Sequence, residues 1–388
     1  MKNKFWLILG LVLLLALFLA WRFLRPMNIF EVDDRFALPL KAKLPPGLTS
    51  LSAKECGACH QEIYQEWAQS MHAQAWTDPY YQVDLAFDGD QQICLNCHIP
   101  LENQQENLVM GFRDAERFDP ILQPNPNFDK ALQQEGVTCV VCHLQEGQII
   151  GPRGSPLAPH GAKAQPEMQK GVAACQQCHV VSNRRWDVFY RIPPCGTVAE
   201  IEQGGQEMDC VGCHLPKVER PLVTGGSPTQ VGRHLFRGGH HPATVKESLQ
   251  VELHQRADGD EIRVEAVLTN IKAAHALPTG TPDRHLTLTL QLTNSQGANG
   301  PTESWKLKRW ILWRPFIADL RDTRLTYNQP QRFVFSVASG QRKTFDQLRV
   351  TVTYHLMDEA RRSRIGYQNP EPIFYPIYQN VMPLQALP

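Results

Sequence analysis

The sequence predicts an α+β chain in three parts: an N-terminal transmembrane helix, a mainly helical and irregular domain, and a C-terminal antiparallel β-sandwich. Three observations carry this prediction. Residues Phe5 to Trp21 form an uncharged apolar run, and ten of the 11 cysteines fall in five Cys-x-x-Cys-His strings between Cys56 and His214. Beyond about Val245 the cysteines stop and a period-two alternation of apolar and polar residues takes over. The 388 residues carry 39 Lys+Arg and 39 Asp+Glu, a formal net charge of zero, and 42% are hydrophobic. Neutrality argues against a nucleic-acid partner, which selects basic surfaces, and the apolar content excludes a disordered chain.

The N-terminus opens Met1-Lys2-Asn3-Lys4 before the apolar run, and Arg22 closes it. A spanning helix needs about 17–25 such residues, and a signal-peptide core is shorter, about 7–15, and is followed by a small-x-small cleavage site. The exit Ala20-Trp21-Arg22-Phe23-Leu24-Arg25-Pro26 holds no such site. Residues 1–25 therefore read as an uncleaved membrane anchor and 26–52 as a linker.

The five strings are Cys56-Gly57-Ala58-Cys59-His60, Cys94-Leu95-Asn96-Cys97-His98, Cys139-Val140-Val141-Cys142-His143, Cys175-Gln176-Gln177-Cys178-His179 and Cys210-Val211-Gly212-Cys213-His214. This is the attachment sequence for haem c: two thiols one turn apart bond the vinyl groups on one porphyrin edge, and the adjacent His reaches the iron as proximal ligand. Zinc sites use Cys-x-x-Cys pairs but do not require a His after each, and a thioredoxin-like pair would occur once. The expectation is five covalent haems, with His60, His98, His143, His179 and His214 as proximal ligands. The string starts are 38, 45, 36 and 35 residues apart, too irregular for a solenoid. Residues 53–244 then form a pentahaem domain in which macrocycles replace much of the apolar core. Haem c is attached outside the cytoplasm, so this domain should face the periplasm from an inner-membrane anchor.

Nine further histidines could supply second axial ligands. The stretch Glu55 to Trp76 reads as one helix carrying His60 and His72, which on a continuous helix stand about 18 Å apart along the axis. His72 should therefore serve a neighbouring haem. His160 lies in a Pro/Gly-rich loop able to bring an imidazole over a haem face. His234 and His240 belong to Arg233-His234-Leu235-Phe236-Arg237-Gly238-Gly239-His240-His241, with His240 weighed above His241. His275 sits in a loop between strand-like runs. His254, His285 and His355 read as sheet residues. Five distal candidates, His72, His160, His234, His240 and His275, match five haems and allow bis-His ligation throughout. Met71, Met110, Met168 and Met208 are alternatives without a clear ligand context.

Glu55-Cys56-x-x-Cys59-His60 followed by Trp67-x-x-Ser70-Met71-His72, the Phe236 to His240 segment, and Asn270 to Arg284 resemble segments of multihaem c-type cytochromes related to the tetrahaem cytochrome of ammonia oxidisers, some with a C-terminal β-rich module. The likeness spans about residues 53–290. It implies bis-His haems in close stacked pairs with the five distal candidates as ligands. The sequence departs from that pattern in its haem count and in its N-terminal anchor.

Residues 245–388 contain the alternating runs Leu249–Leu253, Ile262–Val267, Leu286–Leu290 and Leu348–Tyr354, separated by turns such as Asp258-Gly259-Asp260, which reads as a β-sandwich. Residues 246–388 carry 18 Lys+Arg and 14 Asp+Glu. The basic residues Lys306, Lys308, Arg309, Arg314, Arg361, Arg362 and Arg364 read as solvated surface, or as a face for haem propionates or an acidic partner. Cys195 belongs to no string and reads as an inert thiol. The expected function is electron transfer between a quinol-oxidising or other respiratory membrane complex and a periplasmic or extracellular redox partner. The alternatives are an oxidoreductase acting on a small nitrogen or sulfur compound at an open haem, and a structural subunit of a redox complex or filament.

Overall fold

The computed structural model describes residues 2–24, 34–115, 117–156, 158–179, 196–312, 318–369 and 371–385. Cys195 and Arg314 lie outside them. Helix α1 (Lys2–Leu24) is long and apolar enough to cross a membrane; its Lys4–Trp21 stretch has a mean hydropathy of 2.3 and none of it is buried against the rest of the chain.

Among the described residues from Asp34 to His214 the chain forms short helices: α2 (Asp34–Ala37), α3 (Ala53–Gly57), α4 (Gln61–Ala68), α5 (Pro79–Asp88), α6 (Gln92–His98), α7 (Lys130–Gln133), α8 (Cys139–His143), α9 (Val172–Cys175), α10 (Thr197–Gln203) and α11 (Cys210–His214). Small strands stand among them: β1 (Asn107–Phe112) with β2 (Pro120–Pro124), and β3 (Leu144–Gln145), β4 (Gln148–Gly151) and β5 (Lys163–Ala164). Apolar clusters here are few and small, such as Leu51, Leu101, Leu132, Val140 and Val141. Buried amides take over part of their work. Gln92 donates to Asn96 Oδ1 (2.7 Å) and Gln105 Oε1 (2.8 Å), and Gln104 donates to the Leu132 and Gly136 carbonyls. Paired in this way, the amides escape the cost of burying unpartnered polar groups.

The helix expected from Glu55 to Trp76 is broken. α3 ends at Gly57, where a side chain would collide with the Tyr64 ring, and α4 starts anew after His60. The chain leaves the helix again at Gln69, because tertiary bonds capture it: Trp67 Nε1 donates to Val137 O (2.8 Å) and Val137 N to His72 O (2.9 Å). Gly136 has φ +58°, and a Cβ there would stand 2.7 Å from His72 O. That position excludes any other residue without moving His72.

After the hairpin β6 (Lys217–Pro221) and β7 (Pro228–Gly232) and helix α12 (Pro242–Glu247), the chain builds antiparallel sheets. Their strands are β8 (Leu249–Asp258), β9 (Glu261–Asn270), β10 (His285–Thr293), β11 (Asn299–Leu307), β12 (Arg309–Leu312), β13 (Ala318–Asp322), β14 (Gln331–Ala338), β15 (Gln347–His355) and β16 (Phe374–Pro383), with helices α13 (Ser339–Arg342) and α14 (Glu359–Ile365) between. One sheet has the order β11-β10-β15-β16 and another β14-β9-β8. Both bury their apolar side chains in a single core that includes Ile262, Val264, Leu286, Leu288, Leu290, Val350, Val352 and Phe335. Leu286, Leu288, Leu290 and Leu292 alternate inward along β10 and are fully buried, as period-two geometry demands. The four alternating runs of the sequence lie in β8, β9, β10 and β15.

The basic residues of this region are largely consumed internally. Arg309 pairs with Asp319 (2.9 Å, both side chains buried), Lys308 with Asp358 (3.3 Å) and Arg362 with Glu359. Arg361 pairs with Asp84 of α5, and Arg361 and Arg364 lie over the Phe87 ring. The cluster thus works mainly by tying strands together and docking α14 on α5, and much less as a free basic face.

Candidate haem-binding site

Each string places its two thiols on one helical turn. His60 N bonds Cys56 O (2.9 Å) and His179 N bonds Cys175 O (3.0 Å), the i to i−4 pattern that sets the His one turn beyond the first Cys. Strings two, three and five lie in α6, α8 and α11; strings one and four begin in α3 and α9 and finish in the following turn.

Four string histidines face a second imidazole. The ring centroids are 6.5 Å apart for His60–His160, 6.2 Å for His72–His179, 6.2 Å for His143–His234 and 6.4 Å for His214–His275. A metal–imidazole bond of about 2 Å plus about 1.1 Å from nitrogen to ring centre, taken on both sides of one ion, gives about 6.2 Å. The pairs therefore have the spacing of two axial ligands on one iron, and the thiols on the adjoining turn fit a haem attached there. Among the described residues the His98 ring is stacked instead on Tyr81, at 3.6 Å and 4°. The Tyr81 hydroxyl is buried without a hydrogen-bond partner, and burial raises its pKa well above the ordinary phenol range. His240 turns to Arg284, with Nε2 3.4 Å from the guanidinium, and is not paired with a string His. His241 caps α12 by accepting from Thr244 N. His285 and His355 stack on each other across β10 and β15 at 4.1 Å, and His254 is exposed on β8 beside Glu252. Met208 lies by Gln176, and Met110 is exposed.

The ring nitrogens carry a consistent tautomer. Nδ1 of His60 donates to Leu222 O (2.9 Å), His98 to Ala75 O (2.7 Å), His143 to Ile150 O (3.0 Å) and His214 to Arg237 O (2.9 Å). Opposite them, His160 donates to Gly161 O (2.8 Å), His234 to Gly232 O (2.9 Å) and His275 to Ala276 O (2.9 Å). Fixing the proton on Nδ1 leaves the Nε2 lone pair for metal and orients the ring. Burial also favours the neutral form of His72, His98, His143, His179, His234 and His275. Burial, then the neighbouring His179, His214 and His234, drops His72 to about 3; burial drops His98 to about 4, and burial with His143 drops His234 to about 4. Burial likewise lowers His143, His179 and His275. A neutral imidazole is the ligating form.

The strings also adjoin one another. Cys56 lies beside Cys139, Cys178 beside Cys97, and Cys210 beside Cys175. His72, opposite His179, lies within electrostatic reach of both His214 and His234. The fourth string therefore borders the second, third and fifth, and the first borders the third.

Two buried ion networks hold this arrangement, and neither was legible in the sequence. Glu66 of α4 accepts from Arg220 Nη1 (2.9 Å) and Nη2 (2.7 Å), Arg233 Nε (2.8 Å) and His234 N (2.9 Å). Burial pushes its pKa up, but the two guanidiniums and the amide outweigh burial and hold it at about 2. The second network joins Glu200 of α10 to Arg324 (2.6 Å), which also pairs with Asp322 (2.7 Å). Its residues lie 124 positions apart, and no local pattern announces them.

The family model for cytochrome c554 and c-prime matches residues 55–118. The penta-heme cytochrome c552 from Thermochromatium tepidum shares the fold, with a TM-score of 0.66 at 21% identity, over 88% of this chain and all of that one. No curated protein matches the chain. These likenesses, with the five strings, support a multihaem c-type cytochrome with covalently bound haem and an electron-transfer role.

Proposed function

We propose that the chain is a membrane-anchored pentahaem cytochrome passing single electrons between a respiratory membrane complex and a periplasmic or extracellular redox protein. In this reading α1 anchors it in the inner membrane, residues 53–244 form the periplasmic haem domain, and residues 245–388 form a β-sandwich that contributes His275. Haem bound at each string would supply one-electron chemistry; the chain supplies ligands, spacing and a buried environment. The observation that carries the reading is the four imidazole pairs at axial spacing. A six-coordinate iron suits electron transfer because no position is open to substrate. The fourth string, bordering three others, would be the junction of the electron path.

His98 favours a second reading for one haem. Its partner ring is Tyr81, and His240 is committed to Arg284, so this iron would keep an open side on which a small nitrogen or sulfur compound could react. Electron paramagnetic resonance of the oxidised protein separates the two. Four low-spin signals and one high-spin signal altered by cyanide support an open His98 haem. Five low-spin signals indifferent to cyanide support a pure carrier with a fifth ligand. Two or more high-spin signals would overturn the ligand pairs themselves.

A further inference from the structure

His275 is the most C-terminal of the candidate ligands that face a string histidine: it lies on a loop after β9, while its partner His214 ends α11. The loop is gripped from the haem side. Glu200, on α10, has one carboxylate oxygen on Arg324 Nη1 (2.6 Å) and the other accepting from Ala276 N (3.2 Å) and Thr279 Oγ1 (2.7 Å). Thr279 also bonds Thr197 Oγ1 of α10 (2.9 Å). Arg324 Nη1 donates to Pro278 O (3.1 Å), so carboxylate and guanidinium hold the Ala276–Thr279 segment together. Ala276 in turn presents the carbonyl that accepts from His275 Nδ1 (2.9 Å). Glu200 and Arg324 side chains are only 3% and 4% exposed. Water does not compete for these bonds, and the geometry is held by charge-assisted contacts.

We propose that Glu200 is the positioning residue for His275, setting the angle and reach of its imidazole toward His214 through Ala276 and so fixing the ligation of the fifth string's haem across the junction of the two halves. This rests on His275 being that haem's ligand. Glu200 touches no reacting atom; it acts through the loop. Asp322 stays on Arg324 when Glu200 is neutralised, with bonds to Nε (3.0 Å) and Nη2 (2.7 Å), so Glu200→Gln does not strand a buried cation.

The test uses the full chain with its haems, comparing wild type, His275→Ala, Glu200→Gln and Thr279→Val. Each is checked for five haems by pyridine haemochrome. The readouts are the low-spin signals of the oxidised protein and the rate at which added imidazole or cyanide displaces a native ligand. His275→Ala should turn one low-spin haem high-spin. Glu200→Gln should speed displacement at that same haem by about 10–100-fold, the usual effect of losing a second-layer partner of a metal ligand, and leave the others unchanged. Thr279→Val should show a smaller change at the same haem and carries the test if Glu200→Gln fails to assemble. If His275→Ala alters a haem but Glu200→Gln and Thr279→Val do not, or they alter a different one, the positioning role is overturned while the ligand assignment stands. If His275→Ala alters none, the ligand assignment fails, and the positioning proposal with it.

Discussion

Removing the Glu66 carboxylate should cost the haem region several kcal/mol and disturb one haem above the others. The side chain is 9% exposed and receives four hydrogen bonds, from Arg220, Arg233 and the His234 amide. Its pKa falls from an ordinary 4.5 to about 2 in the fold. At about 1.36 kcal/mol per unit, that difference is worth about 3 kcal/mol. A depressed carboxylate contributes this stability fully above pH 4.5 and loses it as pH falls from there toward 2. Glu66→Gln should therefore destabilise by about 2–3 kcal/mol at pH 7 and flatten the acid limb below pH 4.5. Glu66→Ala should cost more, about 3–5 kcal/mol, because it leaves the buried Arg220 guanidinium under-neutralised. Guanidinium unfolding followed at the Soret band, repeated at several pH values, measures both effects. Since Glu66 holds His234 N, the potential of the His143/His234 haem should shift while the rest hold. A cost below about 1 kcal/mol with an unchanged acid limb would refute this reasoning.

Other consequences follow from the same geometry. Gly136→Ala forces a Cβ against His72 O and a left-handed backbone on alanine; it should cost at least about 1–2 kcal/mol and loosen the haem between His72 and His179, seen as slower re-formation of its low-spin signal after unfolding. Leu288→Ala empties a fully buried site in the β core and should cost about 2–5 kcal/mol by calorimetry, leaving the haem signals unchanged. Replacing residues 1–25 by a cleavable signal peptide should move the protein from the membrane fraction to the soluble periplasmic one, whereas a salt wash of the intact protein should not; release by salt would contradict an integral anchor.

Much of this protein is local in its sequence. A Cys-x-x-Cys-His string needs only one helical turn to form, so five such turns and their histidines can be read from spacing alone. The alternation in β10 reads as a strand because period two forces Leu286, Leu288 and Leu290 onto one face. The uncharged run of α1 is equally self-contained. The imidazoles that face those histidines are different in kind. His160, His234 and His275 lie 100, 91 and 61 residues from the string histidines they face, and nothing in their neighbours names the match. His240 and His241 look equivalent in sequence, yet one turns to Arg284 and the other caps a helix.

What the sequence alone determined, then, is the inventory: five Cys-x-x-Cys-His turns, an apolar helix and an alternating C-terminal third. Only the tertiary structure decided which imidazole faces which, that His98 faces a tyrosine, and that the strings meet around the fourth. The helix expected from Glu55 to Trp76 shows why. Its local propensity lost to two long-range hydrogen bonds at Val137, which turned His72 out of the helix and toward His179. The same holds for Glu66 and Glu200, whose partners come from segments more than 70 residues away. Axial ligation needs two side chains within a few ångströms on opposite sides of one ion, and only packing between distant segments sets that distance.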